Sequence, residues 1–441
     1  MRIPNVILLS MDEVRADDLS CYGQKEITTP AIDSLAKDGV IFEKCRTAAP
    51  WTPVSMASML SGTYPNKHGK RDSISMWTPC MTLAEIMKIN GYLTAGWTGA
   101  SLLTEKYGFN VGFDVFKSPN RHLGMRGFYP EYSCLNDEEF NERMLQIHEE
   151  AGVLNKVGSL PEQYWWINEV ISWLEANNDE NFFIWCHMME THTGYEPFFI
   201  YHELLKENEY RENSYKLGHV LMADNYVIKP LIENMKRLDL YDKTIMILAS
   251  DHGTICYGRQ GWRPIPPHQY NPYREPYPWH TTLFDADVRV VNIWRGPGLP
   301  KGKRITGQVR TVDTVPTILD LCGIDPPEKV EFDGVSLLPF IKKGKAEGLI
   351  AYIEHLQEDR QFGCQQALCT GRYKFIRSLT TGAEELYDLK YDPEEYINLL
   401  NSSAVPYGMR RKATILEDPV TFETLVKWRK ELNKYLLNVS K

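Results

Sequence analysis

Val6-Ile7-Leu8-Leu9-Ser10-Met11-Asp12-Glu13 is the stretch whose reading decides the fold. Its first four residues are apolar without alternation, the pattern of a strand buried on both faces, as in a parallel sheet. The run ends on two adjacent carboxylates. Acids at the end of a buried strand are costly unless something positive binds there. In open α/β sheets, the carboxyl edge of the strands is also where ligands sit.

Reading outward, Thr29-Pro30-Ala31-Ile32-Asp33-Ser34-Leu35-Ala36 predicts a helix and Val40-Ile41-Phe42 a short strand. A helix over Thr82 to Ile89 stops at Asn90-Gly91, and a strand follows over Tyr92 to Trp97. Gly108 to Asp114 reads as a loop, and 162–176 and 213–238 as helices. The strand Phe182-Phe183-Ile184-Trp185-Cys186 runs into His187-Met188-Met189-Glu190-Thr191-His192. The strand Thr244 to Ala249 runs into Ser250-Asp251-His252-Gly253. Val288 to Trp294 predicts a further strand and Val312 to Cys322 a helix. From about 349 the pattern turns to short strands with turns, as in Tyr373-Lys374-Phe375-Ile376-Arg377, and an amphipathic helix covers 420–437. The expected architecture is α/β. A large mixed, mostly parallel sheet flanked by helices occupies 1–345, and a smaller α+β subdomain with a terminal helix occupies 346–441. Residues 117–160 lack clear periodicity and read as an insertion with the character of a lid. Residues 254–279 hold six prolines with Arg259, Arg263 and Arg274, too long for a plain connection. That loop either binds substrate or is a solvated or dimer-contact loop.

The chain has 441 residues with 43% hydrophobic and 24% charged side chains, enough for a large core. A net charge of -9 argues against a nucleic-acid-coating protein but allows a local basic pocket. No signal peptide with a cleavage site and no bilayer-spanning apolar run is visible. The nine cysteines are scattered without a Cys-x-x-Cys pair, so reduced thiols in a cytoplasmic protein are expected. No membrane partner is expected, and a homo-oligomer is compatible with the sequence.

Ala49-Pro50-Trp51-Thr52-Pro53-Val54-Ser55-Met56-Ala57-Ser58-Met59-Leu60-Ser61-Gly62 sets one hydroxyl, Thr52, just before a helical segment with Pro53 near its first turn and Gly62 as its stop. Unpaired backbone N–H groups at a helix start favour a tetrahedral anion. Thr52 is therefore either an N-cap or a group that works on such an anion. Three strand ends now carry polar clusters: Asp12-Glu13, His187/His192 and Asp251-His252. A parallel sheet brings such ends to one edge, and carboxylates with an imidazole suit a divalent metal such as zinc or manganese, or calcium with less histidine.

With these residues in hand, the sequence resembles the sulfatase family within the alkaline phosphatase superfamily, over nearly its whole length. Pro4 to Asp17 is similar to the family's opening strand and metal motif. Ser61-Gly62-Thr63-Tyr64-Pro65-Asn66-Lys67-His68-Gly69 resembles the end of the nucleophile motif, and Ser250-Asp251-His252-Gly253 the second metal motif. Asp333-Gly334-Val335-Ser336-Leu337 and Glu385-Leu386-Tyr387-Asp388-Leu389 resemble C-terminal signatures. The departure is central. The family's Cys/Ser-x-Pro-Ser-Arg motif, whose first residue is oxidised to formylglycine, is here Thr52-Pro53-Val54-Ser55-Met56. Threonine has no primary β-carbon to become an aldehyde, and the guiding Pro and Arg are Val54 and Met56.

The resemblance implies one or two divalent ions (zinc, manganese or calcium) on Asp12, Glu13, Asp251 and His252, with Thr52 on the metal as nucleophile. It implies His192 as an acid for the leaving group and His280 where relatives carry an anion-binding Lys. Ser73 with Asp72, Thr98 or Ser101, and Arg263 are substrate-contact candidates. His187 reads as a core or supporting residue, and His68 as a support for the turn after the nucleophile helix. The expected activity is hydrolysis of a small anionic ester, with phosphate monoesters, diesters or phosphonate esters favoured over sulfate esters cleaved without formylglycine. A phosphotransferase and an inactive binding protein are the remaining readings.

Overall fold

A computed structural model describes residues 3–72, 80–118, 165–192, 214–254, 282–356, 363–400 and 422–437. Ser73, Arg263, His280 and nearly all of the stretches 117–160 and 254–279 lie outside the described residues.

In chain order the main strands are β1 (Asn5–Met11), β2 (Gly39–Arg46), β3 (Leu93–Thr98), β4 (Val115–Lys117), β5 (Phe182–Met188), β6 (Thr244–Ser250), β7 (Arg289–Val290), β8 (Asn292–Arg295), β9 (Lys303–Arg310), β10 (Lys345–Ala346), β11 (Ala351–His355), β12 (Gln365–Cys369), β13 (Tyr373–Ser378) and β14 (Glu384–Asp388). The main helices are α1 (Pro30–Lys37), α2 (Thr52–Ser61), α3 (Leu83–Ile89), α4 (Trp165–Ala176), α5 (Ser214–Ala223), α6 (Lys229–Arg237), α7 (Thr314–Cys322), α8 (Leu338–Lys343) and α9 (Phe422–Leu437). Among the described residues the strands form a ten-stranded, mixed and mostly parallel sheet and a four-stranded antiparallel one. This is the α/β class the apolar runs predict.

The chain divides into two compact units, Met1–Val40 with Ala84–Ala249 and Ile293–Gly302, and Ile41–Leu83 with Ser250–Asn292 and Lys303–Lys441. In the first unit the strand order is β8-β6-β1-β5-β3-β4. Every residue of β1, β5 and β6 is buried, as expected of central strands covered on both faces. β1 and β5 run parallel with Val6 opposite Phe183 and Met11 opposite Met188. β3 is parallel to β5, placing Thr98 opposite His187. The start of α1 is capped from a distance, because Asp224 accepts the amides of Ala31 and Ile32 at 3.3 and 2.7 Å. Burial pushes that carboxyl up to about 6.

The helix expected over 213–238 is α5 and α6 joined by a π-turn over Asp224–Ile228. Pro230 lacks the N–H that would continue the α ladder there, which explains the change of register.

In the second unit the order is β2-β9-β10, with β7 antiparallel to β2 and β9 parallel to β10. β11 to β14 form the antiparallel meander, and Tyr352, Leu368, Phe375 and Leu386 pack in one cluster with Trp428 and Leu432 of α9. All ten residues of α2 are buried. Such a helix needs small residues where neighbours press close, and Ser55, Ala57, Ser58 and Ser61 meet that need. Gly62 ends it in the left-handed region at φ 69°, and the Gly62 carbonyl accepts the amides of Asp333 and Gly334 at 3.0 and 3.1 Å. A Cβ at Gly334 would lie 1.9 Å from the Val312 carbonyl oxygen, so only glycine fits this contact.

Two expectations change. Val288 to Trp294 is not one strand: a short helix, Asp285–Val288, precedes β7, and Val291 separates β7 from β8. The carboxylate of Asp287 takes the Thr282 amide and hydroxyl at 2.8 and 2.6 Å, which favours a turn over continued pairing. β9 is absent from the sequence reading because Lys303-Arg304-Ile305-Thr306-Gly307-Gln308-Val309-Arg310 contains no apolar run. No described helix is long and apolar enough to cross a membrane.

Candidate active site

In the first unit the acids of the opening motif lie just past β1. Asp12 and Glu13 are both fully buried. Glu13 has φ 58°, a left-handed backbone that costs a non-glycine residue about 1–3 kcal/mol and persists only where its surroundings enforce it. Asp12, Glu13 and His192 each offer a ligand atom within 4.8 Å of the others. His192 Nε2 is 3.2 Å from Glu13 Oε1, and its side chain is 26% exposed, so this imidazole bridges the buried acids and solvent.

His187 is buried and supports Asp12. Its Nε2 lies 3.2 Å from Asp12 Oδ2 and its Nδ1 2.9 Å from Ser10 Oγ, which in turn accepts the Trp185 indole N–H at 3.1 Å. The strand-end turn Met189–Thr191 carries Glu190, whose Oε1 accepts the Trp166 indole N–H at 2.7 Å. Burial raises that carboxyl to about 8. Thr98 ends β3, is buried, and accepts the Ala100 amide through its hydroxyl at 3.0 Å.

In the second unit Thr52 is the first residue of α2, and Trp51 is the N-cap. The N-cap reading of Thr52 is therefore corrected: it lies inside the helix, and its hydroxyl lies 3.1 Å from His252 Nε2. His252 Nδ1 is 2.8 Å from the Gly253 carbonyl oxygen, which can only accept, so Nδ1 carries a proton. Nε2 also lies 3.5 Å from Asp251 Oδ2. Ser55, one turn along α2, donates to the Asp251 carbonyl at 2.7 Å and sits 2.6 Å from Thr47 Oγ1, which ties the helix to the strand end. His68 Nε2 is 2.9 Å from Ser58 Oγ, and the Lys70 amide donates to Nδ1 at 3.2 Å. Burial first, then Lys70 and Arg71, hold His68 down to about 3, so it is a neutral brace for the turn after α2. Burial also lowers the Lys70 ammonium to about 8.

The donor sets fit a divalent ion. Two buried adjacent carboxylates with an imidazole in one unit, and a carboxylate beside an imidazole whose Nδ1 is tied to a backbone carbonyl in the other, are oxygen and nitrogen ligands with their supporting bonds in place.

The sulfatase family model matches residues 4–324. The chain belongs to the sulfatase family. A second model, the C-terminal region of N-sulphoglucosamine sulphohydrolase, matches residues 280–414. This sulfatase-family protein is 24% identical to an arylsulfatase of Clostridium perfringens, over 90% of each chain. It is 21% identical to a Delta 4,5-hexuronate-2-O-sulfatase of Bacteroides thetaiotaomicron, over 95% of this chain and 89% of that one. Its fold is shared with the phosphonate monoester hydrolase of Agrobacterium radiobacter at a TM-score of 0.67 and 18% identity, covering 97% and 96% of the two chains. Like the family, it is an ester hydrolase.

Sequence reading missed Lys216. It is 3% exposed, and its Nζ donates to the Thr191 carbonyl at 2.5 Å and lies 4.0 Å from Glu13 Oε2. The available signal was a lysine at helical spacing with Val220 and Ala223 on the buried face of α5.

Proposed function

We propose that this sulfatase-family hydrolase cleaves a small anionic phosphorus ester with unmodified Thr52 as nucleophile. One relation carries the reading: by the family resemblance Thr52 falls where the formylglycine forms, and this residue is 8% exposed with its hydroxyl 3.1 Å from His252 Nε2. Val54 and Met56 in the places of the guiding Pro and Arg support it.

The resemblance implies a divalent metal ion for Asp12, Glu13, Asp251 and His252, which would supply Lewis acidity and lower the pKa of a hydroxyl beside it. Thr52 Oγ, its proton released to solvent, attacks phosphorus in line, and the bond from phosphorus to the departing oxygen breaks as a covalent phosphoryl-threonine forms. His192, the solvent-reaching imidazole on Glu13, protonates the departing oxygen. Water then opens the threonine ester. The helix start at Thr52 favours the charge on the remaining oxygens.

Cleavage of a sulfate ester without formylglycine is the second reading, favoured by the sulfatase names of the aligned relatives. Aryl phosphate, phosphonate, phosphodiester and sulfate esters assayed side by side separate the two. Faster turnover of the phosphorus esters is expected; faster turnover of the sulfate would overturn the preference.

A further inference from the structure

We infer that Lys216 is a positioning residue for the Asp12–Glu13 carboxylate pair, acting through the Thr191 turn. The inference rests on the metal-binding reading of that pair. The carbonyl of Asp12 belongs to the peptide that joins it to Glu13, so its direction and the φ of Glu13 are linked. Thr191 Oγ1 holds that carbonyl at 2.7 Å, and Lys216 Nζ lies 3.4 Å from the same oxygen. Lys216 in turn fixes Thr191, whose carbonyl accepts its ammonium at 2.5 Å.

The Asp12 amide donates to the Met188 carbonyl at 3.0 Å, so the segment is held on both sides of the residue. Glu13 is thereby kept at φ 58°, the conformation that turns its carboxylate toward His192. The three anchors come from α5, the turn after β5 and the end of β5, elements far apart in sequence and all in the first unit.

A lysine buried here for charge alone would give the opposite metal response. A cation 4.0 Å from Glu13 Oε2 competes with a metal ion, so its loss would tighten metal binding. A positioning lysine gives weaker binding when removed, because the carboxylate leaves its preset place.

The test uses the full chain and Mn²⁺, Zn²⁺ and Ca²⁺ each alone, with affinity read by calorimetry and the Glu13 backbone by crystallography of the metal-free protein. Lys216→Met and Thr191→Val are each expected to weaken the ion the wild type binds about 10- to 100-fold, with Glu13 relaxed to negative φ. Lys216→Gln, which keeps a donor for the Thr191 carbonyl, is expected to recover most of the affinity. Equal or tighter binding in Lys216→Met, or a Glu13 that keeps its positive φ in both variants, would overturn the inference. If Lys216→Met does not fold, Thr191→Val carries the same comparison. If the wild type binds none of the three ions, the metal reading falls, and the φ of Glu13 in the variants still decides the positioning claim.

Discussion

Thr52 Oγ1 and His252 Nε2 are 3.1 Å apart across 200 residues of sequence. The Gly253 carbonyl accepts from Nδ1 on the far side of the ring, which fixes the face the imidazole turns to Thr52. A hydroxyl held this way is oriented for use, and its burial makes the bond stronger than it would be in water.

Replacing Thr52 by alanine should lower turnover about 10³-fold or more, at a cost in stability of about 1–3 kcal/mol for the lost buried hydrogen bond. Thr52→Ser keeps a hydroxyl and should retain a measurable part of the rate. Full activity in Thr52→Ala would remove the nucleophile assignment. Mass spectrometry of the peptide carrying Thr52 should find plain threonine.

Metal removal should act on both activity and stability, since an ion that binds only the folded protein stabilises it. A free ion at 100 times its Kd contributes about 2.7 kcal/mol. Dialysis against a chelator is expected to abolish turnover and lower the melting temperature, and re-addition of one of zinc, manganese or calcium should restore both. Unchanged activity after complete chelation, checked by elemental analysis, would contradict this.

Ser10→Ala removes the hydroxyl that meets His187 Nδ1 and accepts the Trp185 indole N–H. The indole would be left buried without that acceptor, at a cost of about 1–3 kcal/mol. The freed His187 ring should weaken metal binding through Asp12 about tenfold. Calorimetric titration and denaturant unfolding measure the two effects separately.

His68 makes stability fall in acid. Its folded pKa is about 3 against an ordinary 6.5, so the unfolded chain takes up the proton first as pH falls. The stability is fully present above 6.5 and is lost between 6.5 and about 3, at up to about 1.4 kcal/mol per pH unit. His68→Gln should flatten the pH dependence of the melting temperature over that window; an unaltered slope would show that other groups set it.

The candidate residues were legible in the sequence where polar groups follow a buried strand. Asp12-Glu13, His192 and Asp251-His252 each follow an apolar run, and a run of that kind announces both the strand and the place where it stops. β9 was not legible, because its buried positions include Gln308 and Arg310 beside Ile305 and Val309, and neither was the break at Val291, whose amide goes to the Ser250 hydroxyl. Ser73, Arg263 and His280 stand as sequence readings, outside the described residues.

By itself the sequence determined the α/β class and the order of the strand-end acids and histidines, and it set Thr52 before a helical segment as the proposed nucleophile. These follow from local periodicity and residue identity. Only the tertiary structure decided that Trp51 rather than Thr52 caps α2, that His187 braces Asp12, and that Lys216 reaches the Thr191 carbonyl. The reason is physical: a hydrogen bond is chosen by distance and direction between groups far apart in the chain, and no local pattern carries that information.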